Sequence, residues 1–147
     1  MMKHAKPGMC ECEMEGAFDF ALMKQGVRDH AFHSIFAGGK RAAILHYGEN
    51  DQIVNDGEMV LIDLGSAYGN YCADISRTFP INGKFTDRQK ELWTIVRDAM
   101  EVSKDKMRPG VPVREAQQAV LEFYKKALRT AKLITEDSQV GKYYYHG

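Results

Sequence analysis

The stretch Asp63-Leu64-Gly65-Ser66-Ala67-Tyr68-Gly69-Asn70-Tyr71-Cys72-Ala73-Asp74 constrains this chain more than any other. It follows an apolar run of β-formers, Met59-Val60-Leu61-Ile62, and leads into Ile75 and then Thr78-Phe79. Tyr68-Gly69-Asn70 supplies a turn signal between the two extended runs, which is the pattern of a β-hairpin. With the turn centred between Tyr68 and Gly69, Asp63 lies directly opposite Asp74. Directly opposed residues share a face, with Cβ atoms about 4.5–5.5 Å apart. Two carboxylates that close repel by roughly 1–4 kcal/mol between the dielectrics of water and a protein surface. A cation between them turns the repulsion into a binding site, and hard or borderline divalent metals accept carboxylate oxygen. Spacing leaves a second arrangement open: a one-residue bulge sends the pair to opposite faces, as two solvated flanks of a turn.

The rest of the chain reads as elements around that hairpin. After the break at Pro7-Gly8, a helix is expected from near Met9, with Met14, Ala17, Phe18, Ala21 and Leu22 on one apolar face. Gly26 suits a left-handed cap, so the helix should end at about Gln25. Ala31 to Ala37 reads as a strand ending in Gly38-Gly39, and a second short strand is expected from Ala43 to His46. Asn55-Asp56-Gly57 is a turn before the hairpin, and Pro80 with Asn82-Gly83 closes the extended region after it. Thr86 followed by Gln89 is a capping-box pattern and predicts a helix start. Its apolar positions are Leu92, Ile95, Val96, Ala99 and Met100, and Arg108-Pro109-Gly110 stops it. A third helix is expected from about Val113 to Ala131, with Ala116, Val120, Phe123, Ala127 and Leu128 inward. The tail Gly141-Lys142-Tyr143-Tyr144-Tyr145-His146-Gly147 reads as a strand leading into a site.

Composition narrows the class. A chain of 147 residues has room for one domain with a sizeable core. Twenty basic residues balance twenty acidic ones, so no overall field favours nucleic acid or an anionic membrane. No apolar run approaches the roughly 20 residues needed to cross a bilayer, and the start has no apolar core of a signal peptide. Three cysteines, an odd number, argue against a disulfide framework and suit a reducing cytoplasm. Cys10-Glu11-Cys12 has no partners for a zinc site, so its cysteines read as ordinary thiols near a helix start. His30 and His33 read as surface or hydrogen-bonded histidines.

Longer motifs frame the hairpin. Ile44-Leu45-His46-Tyr47 and Asp56-Gly57-Glu58 stand before it, and Asp74-Ile75-Ser76-Arg77-Thr78-Phe79-Pro80-Ile81-Asn82-Gly83-Lys84-Phe85-Thr86 follows. With Val60-Leu61-Ile62-Asp63 between them, the series resembles the Xaa-Pro aminopeptidase and prolidase branch of the pita-bread metallopeptidases, in the family's order from Pro7 to Gly147. The resemblance implies an α+β chain with an incomplete pita-bread (creatinase/aminopeptidase) fold, a curved antiparallel sheet covered by helices on one face. Residues 1–147 would form the first half and the start of the second half of a catalytic domain, without the family's separate N-terminal domain. It implies two divalent metal ions, manganese first, with cobalt or zinc as alternatives, and Asp63 and Asp74 as ligands. It gives His46 a catalytic and substrate-binding role at the rim, bonding to substrate or to the reaction's oxyanion, and makes His146 a pocket-lining, substrate-binding residue. The implied reaction is hydrolysis of the bond between an N-terminal residue and a proline in second position, with the metals lowering the pKa of a bridging water and polarising the scissile carbonyl.

The remaining ligands of that pattern, a histidine and two glutamates, have no match here; Glu136 and Asp137 precede the segment and do not fit it. Three expectations follow. The chain is the front part of a metal-dependent aminopeptidase and inactive alone, or a non-catalytic module that binds peptides or proteins, or a chain that completes its site by assembly. Sheet faces meant for further strands should be exposed and invite partner chains, a second copy among them.

Overall fold

The computed structural model describes residues 2–144. The chain divides into two compact units, Met1–Phe85 and Thr86–Gly147.

The first unit opens with helix α1, Glu11–Lys24. The Cys10 Sγ accepts from the Cys12 amide at 3.3 Å while the Glu13 carboxylate accepts from the Cys10 amide at 2.7 Å, so a cysteine serves as N-cap. At the other end Gly26 has φ 76°, its amide donates to the Met23 carbonyl, and Val27 donates to Leu22. Those two bonds are the Schellman stop expected of that glycine. All three cysteines are free thiols.

Two antiparallel sheets follow. The larger joins β2 (Ile35–Gly38), β3 (Met59–Leu64) and β6 (Ile75–Pro80) with β3 in the middle. The smaller joins β1 (Asp29–His30), β4 (Ser66–Tyr68) and β5 (Tyr71–Cys72). Val60 and Ile62 alternate inward from β3 and pack with Met14 of α1, Phe36, Val54, Phe79 and Ile81. That shared core seats α1 on the sheet, helped by the Phe18 and Phe36 rings 6.4 Å apart.

Three expectations fail locally. Of the strand over Ala31 to Ala37 only the end forms, in β2; β1 precedes it, and residues 31–34 stay out of the ladder because Ser34 is buried and bonded sideways. Its carbonyl accepts from Asn50 Nδ2 at 2.8 Å and its hydroxyl lies 3.2 Å from His30 Nδ1, so side chains replace the ladder there. The strand from Ala43 to His46 does not form. Gly39 turns the chain at φ 57° into a 3₁₀ helix, Gly39–Ala43; Ile44 and Leu45 then stand exposed, and His46 adopts φ 52°. The tail is not a strand through Tyr144: a 3₁₀ helix, Asp137–Lys142, occupies its beginning. The rest of it lies outside the described residues.

The second unit holds α2 (Asp87–Lys106) and α3 (Val113–Thr130), packed on each other. Thr86 and Gln89 form the expected capping box, amide to side chain in both directions at 2.9 and 3.2 Å. Leu128, Ile134 and Val140 form its core with Ile95, Leu121, Leu133 and the rings of Tyr124 and Tyr144, tilted at 35° with centroids 5.0 Å apart. Val96 is more exposed than its helical position suggested, and Leu92 and Met100 partly so. No helix among the described residues is long and apolar enough to cross a membrane.

Candidate metal centre

The hairpin is present, with a register that differs from expectation. Gly69 and Asn70, at φ 56° and 67°, are the central residues of its turn, and Tyr68 pairs with Tyr71. Two positive φ values define a primed turn, which suits the twist of the strands and favours glycine and asparagine. The turn therefore centres one residue later than the sequence reading placed it. Asp63 faces Ser76 instead of Asp74, and Leu64 faces Ile75. The Ala73 amide still donates to the Ser66 carbonyl at 2.9 Å, so one register runs through both sheets and leaves Asp74 opposite Gly65.

Direct opposition of the two aspartates is thus corrected to a diagonal relation. Ala73 and Asp74 join β5 to β6, so Asp74 stands two positions before Ser76, the residue opposite Asp63; unbroken strand alternation would put the two carboxylates on one side. Diagonal neighbours lie about 7–8 Å apart, a span that two carboxylates can close around a cation. Gly65 shapes this junction, since a Cβ there would collide with the Ala73 carbonyl and stand 2.9 Å from the Phe32 ring. Ser76 Oγ donates to Asp63 Oδ1 at 2.7 Å and fixes that carboxylate. Asp63 is half-buried and Asp74 exposed.

The donor chemistry suits a hard or borderline divalent cation, which takes carboxylate oxygens oriented by second hydrogen bonds. The set is partial. Among the described residues, no group of three or more His, Cys, Asp or Glu side chains is gathered to hold a metal.

His46 is exposed, in a loop whose neighbours are firmly held. Tyr47 is buried, and its hydroxyl donates to Glu11 Oε2 at 2.7 Å. Burial, then that hydrogen bond, pushes its pKa up to about 12. His33 Nε2 lies 2.9 Å from the Gly48 carbonyl, and His30 Nδ1 lies 3.2 Å from the Ser34 hydroxyl; both are the hydrogen-bonded histidines expected. His146 lies outside the described residues. Glu136 caps the last 3₁₀ helix and Asp137 pairs with Arg129 at 2.6 Å, so neither joins the aspartates. In the second unit an open groove of about 620 Å³ has Ile95, Phe123 and Ala127 among its lining and a charged rim. It contains none of the candidate residues.

Sequence reading missed Glu11. Its carboxylate is fully buried and accepts four hydrogen bonds: from the Gly38 amide and Arg41 Nε on one oxygen, and from Tyr47 and the Gln52 amide on the other. The signal was available, because Glu11, Met14 and Phe18 share a helix face by their i, i+3, i+7 spacing. A carboxylate on an apolar stripe must find partners inside.

Comparison with known proteins shows the family. The profile of metallopeptidase family M24 matches residues 1–147, and the chain belongs to that family. It is 39% identical over 122 residues to the Xaa-Pro aminopeptidase of Escherichia coli K12, a match that takes in 83% of this chain and 28% of that protein. For the Xaa-Pro aminopeptidase of Haemophilus influenzae the identity is 33% over 153 residues, covering 99% of this chain and 36% of the relative. Among solved structures, a candidate aminopeptidase P from Bacillus anthracis matches with a TM-score of 0.95 at 42% identity, over 99% of this chain and 35% of that one. Zinc-substituted E. coli aminopeptidase P in complex with product matches with a TM-score of 0.90 at 35% identity, over 97% and 33% of the two chains. The chain therefore spans about a third of the length of these relatives. The fold is the incomplete pita-bread, α+β class expected.

Proposed function

We propose that this chain is the front part of the catalytic domain of a metal-dependent Xaa-Pro aminopeptidase, acting on peptides with proline in second position. The observation that supports the reading is the register of the hairpin, in which Ser76 faces and bonds to Asp63 and Asp74 stands two residues before Ser76. Asp63 and Asp74 would hold two divalent cations jointly with groups from further segments; manganese is the first choice and zinc or cobalt the alternatives. When bound, such cations supply Lewis acidity toward a water and the scissile carbonyl. The protein's own part is to orient them through Ser76 and to offer His46 as a hydrogen-bonding group for the substrate or for charge developing on the carbonyl oxygen. His146 would line the pocket. A reducing, cytoplasmic setting suits the three free thiols.

Two carboxylates make weak binding and negligible turnover the expected behaviour of the 147-residue chain by itself. The partial donor set also favours a second reading, in which another chain, a second copy included, completes the site. One experiment separates the two. Manganese is titrated into the purified chain, and hydrolysis of a peptide with proline in second position is followed on the same sample. Weak binding that Asp63→Asn and Asp74→Asn each abolish, without turnover, supports the first reading. Tight binding with turnover that Asp74→Asn removes supports assembly. Binding indifferent to both substitutions overturns the metal site.

A further inference from the structure

We propose that Glu11 is a positioning residue for His46: its buried carboxylate closes the segment from Gly38 to Gln52 into a loop that fixes where the histidine stands. A role for His46 in the reaction rests on the function proposed above; the clasp itself does not.

The segment leaves the sheet at Gly38, whose amide donates to Glu11 Oε1 at 2.7 Å. Arg41 Nε donates to the same oxygen at 2.7 Å while its guanidinium also reaches the Ile53 carbonyl at 3.1 Å. On the return, Tyr47 and the Gln52 amide donate to Glu11 Oε2 at 2.7 and 3.1 Å. Departure and return of the loop are thus tied to one side chain on the first turn of α1. Asn50 adds a second tie, accepting from the Phe36 amide at 2.9 Å and donating to Glu15 Oε2 at 3.2 Å.

Between the ties, Ile44 and Leu45 are 55% and 61% exposed, so burial of those side chains does not hold this part of the loop. Directional bonds must. His46 directly precedes the Tyr47 anchor and has φ 52°, an uncommon backbone state that is costly for a residue with a Cβ and that its surroundings must offset. Four donors on a dry carboxylate provide such surroundings, because each lost bond leaves a buried polar atom unsatisfied. Tyr47 carries the constraint from Glu11 to the neighbouring residue.

The test uses the 147-residue chain and Tyr47→Phe, which keeps the ring and removes only the hydroxyl. Backbone chemical shifts of His46 report its left-handed state. Amide exchange of Ile44 and Gln52, bonded to Arg41 and to Glu11, reports the loop, and exchange of Val60 and Ile62 reports the core. The expected result is loss of the left-handed signature at His46 and at least tenfold faster exchange at Ile44 and Gln52, with Val60 and Ile62 unchanged. Unchanged His46 shifts, or equal acceleration of loop and core, would overturn the proposal. Glu11→Gln should give the same pattern more strongly; should it fail to fold, Tyr47→Phe still decides. Manganese added to the wild-type sample tests the metal reading apart from the clasp. Broadening at the Asp63 and Asp74 amides is expected, and its absence would reject the metal reading while leaving the Glu11 result to stand or fall on the loop alone.

Discussion

Ser76 stands directly across the β3–β6 ladder from Asp63 and donates its hydroxyl to the Asp63 carboxylate at 2.7 Å. The hydroxyl occupies the place that the sequence reading gave to Asp74. A hydrogen-bond donor beside a prospective ligand carboxylate fixes its rotamer, where a second carboxylate directly opposite would repel it.

Ser76→Ala should separate orientation from stability. Ser76 is exposed, so loss of its bond should cost no more than about 1 kcal/mol of unfolding free energy. Removing a group that orients a ligand typically costs about 10–100-fold in metal affinity. Manganese titration of the two proteins, beside urea unfolding of both, checks this. Equal affinity would mean that Ser76 does not prepare Asp63 for metal.

Gly65→Ala should be poorly tolerated. The added Cβ meets the Ala73 carbonyl, a backbone group that cannot rotate aside. Overpacking of this kind costs about 1–3 kcal/mol, and relief would require moving Ala73 and with it the neighbouring Asp74. Urea unfolding should show the loss, and the Asp74 amide shift should move more than that of Asp63. A neutral substitution would mean that this close approach relaxes without cost.

How far the chain could be read from sequence follows from the reach of each signal. Thr86 with Gln89 and Gly26 were legible because a cap depends on residues within one turn, and α3, which has no side-chain cap, was legible from its apolar spacing after Pro109-Gly110. The hairpin was legible as a hairpin, yet its register hung on whether Tyr68-Gly69 or Gly69-Asn70 formed the turn. Only the requirement for φ > 0 at both central residues decides that, and it moves the partner of Asp63 from Asp74 to Ser76. The path from Gly39 to Gln52 was not legible. Its shape comes from Glu11, which is distant in sequence, and the apolar Ile44 and Leu45 that suggested a strand face outward.

Tyr47 should be among the last tyrosines to ionise. Its pKa rises from the ordinary value of 10.0 to about 12, through burial first and the bond to Glu11 second. A raised folded-state pKa means that the native state favours the protonated phenol. Its contribution to stability is therefore complete below about pH 10 and is lost as the pH rises through about 12. Absorbance titration of phenolate, compared with Tyr47→Phe, should remove a late step. Glu11→Gln weakens the bond to the phenol, removes the neighbouring negative charge and loosens the loop, and should shift that step downward. A step near pH 10 assigned to Tyr47 would contradict the buried bond.

Lys132 offers a stabilising substitution. Helix α3 ends with Ala131 as cap, after which Lys132 takes φ 57°, its amide donating to Arg129 and that of Leu133 to Leu128 at 2.9 Å each. This is the same stop that Gly26 makes for α1, built with a residue that carries a Cβ. A left-handed non-glycine residue costs about 1–2 kcal/mol, while glycine gives back about 0.4–1 kcal/mol through the freedom of the unfolded chain. Lys132→Gly should therefore stabilise the helical unit by roughly 0.5–1 kcal/mol as the difference of those terms. Lys132→Ala keeps the Cβ and should change little. Urea unfolding followed by helical circular dichroism measures both variants against the wild type. A loss of stability in Lys132→Gly, or an equal gain in Lys132→Ala, would show that backbone strain at this position is not what the substitution relieves.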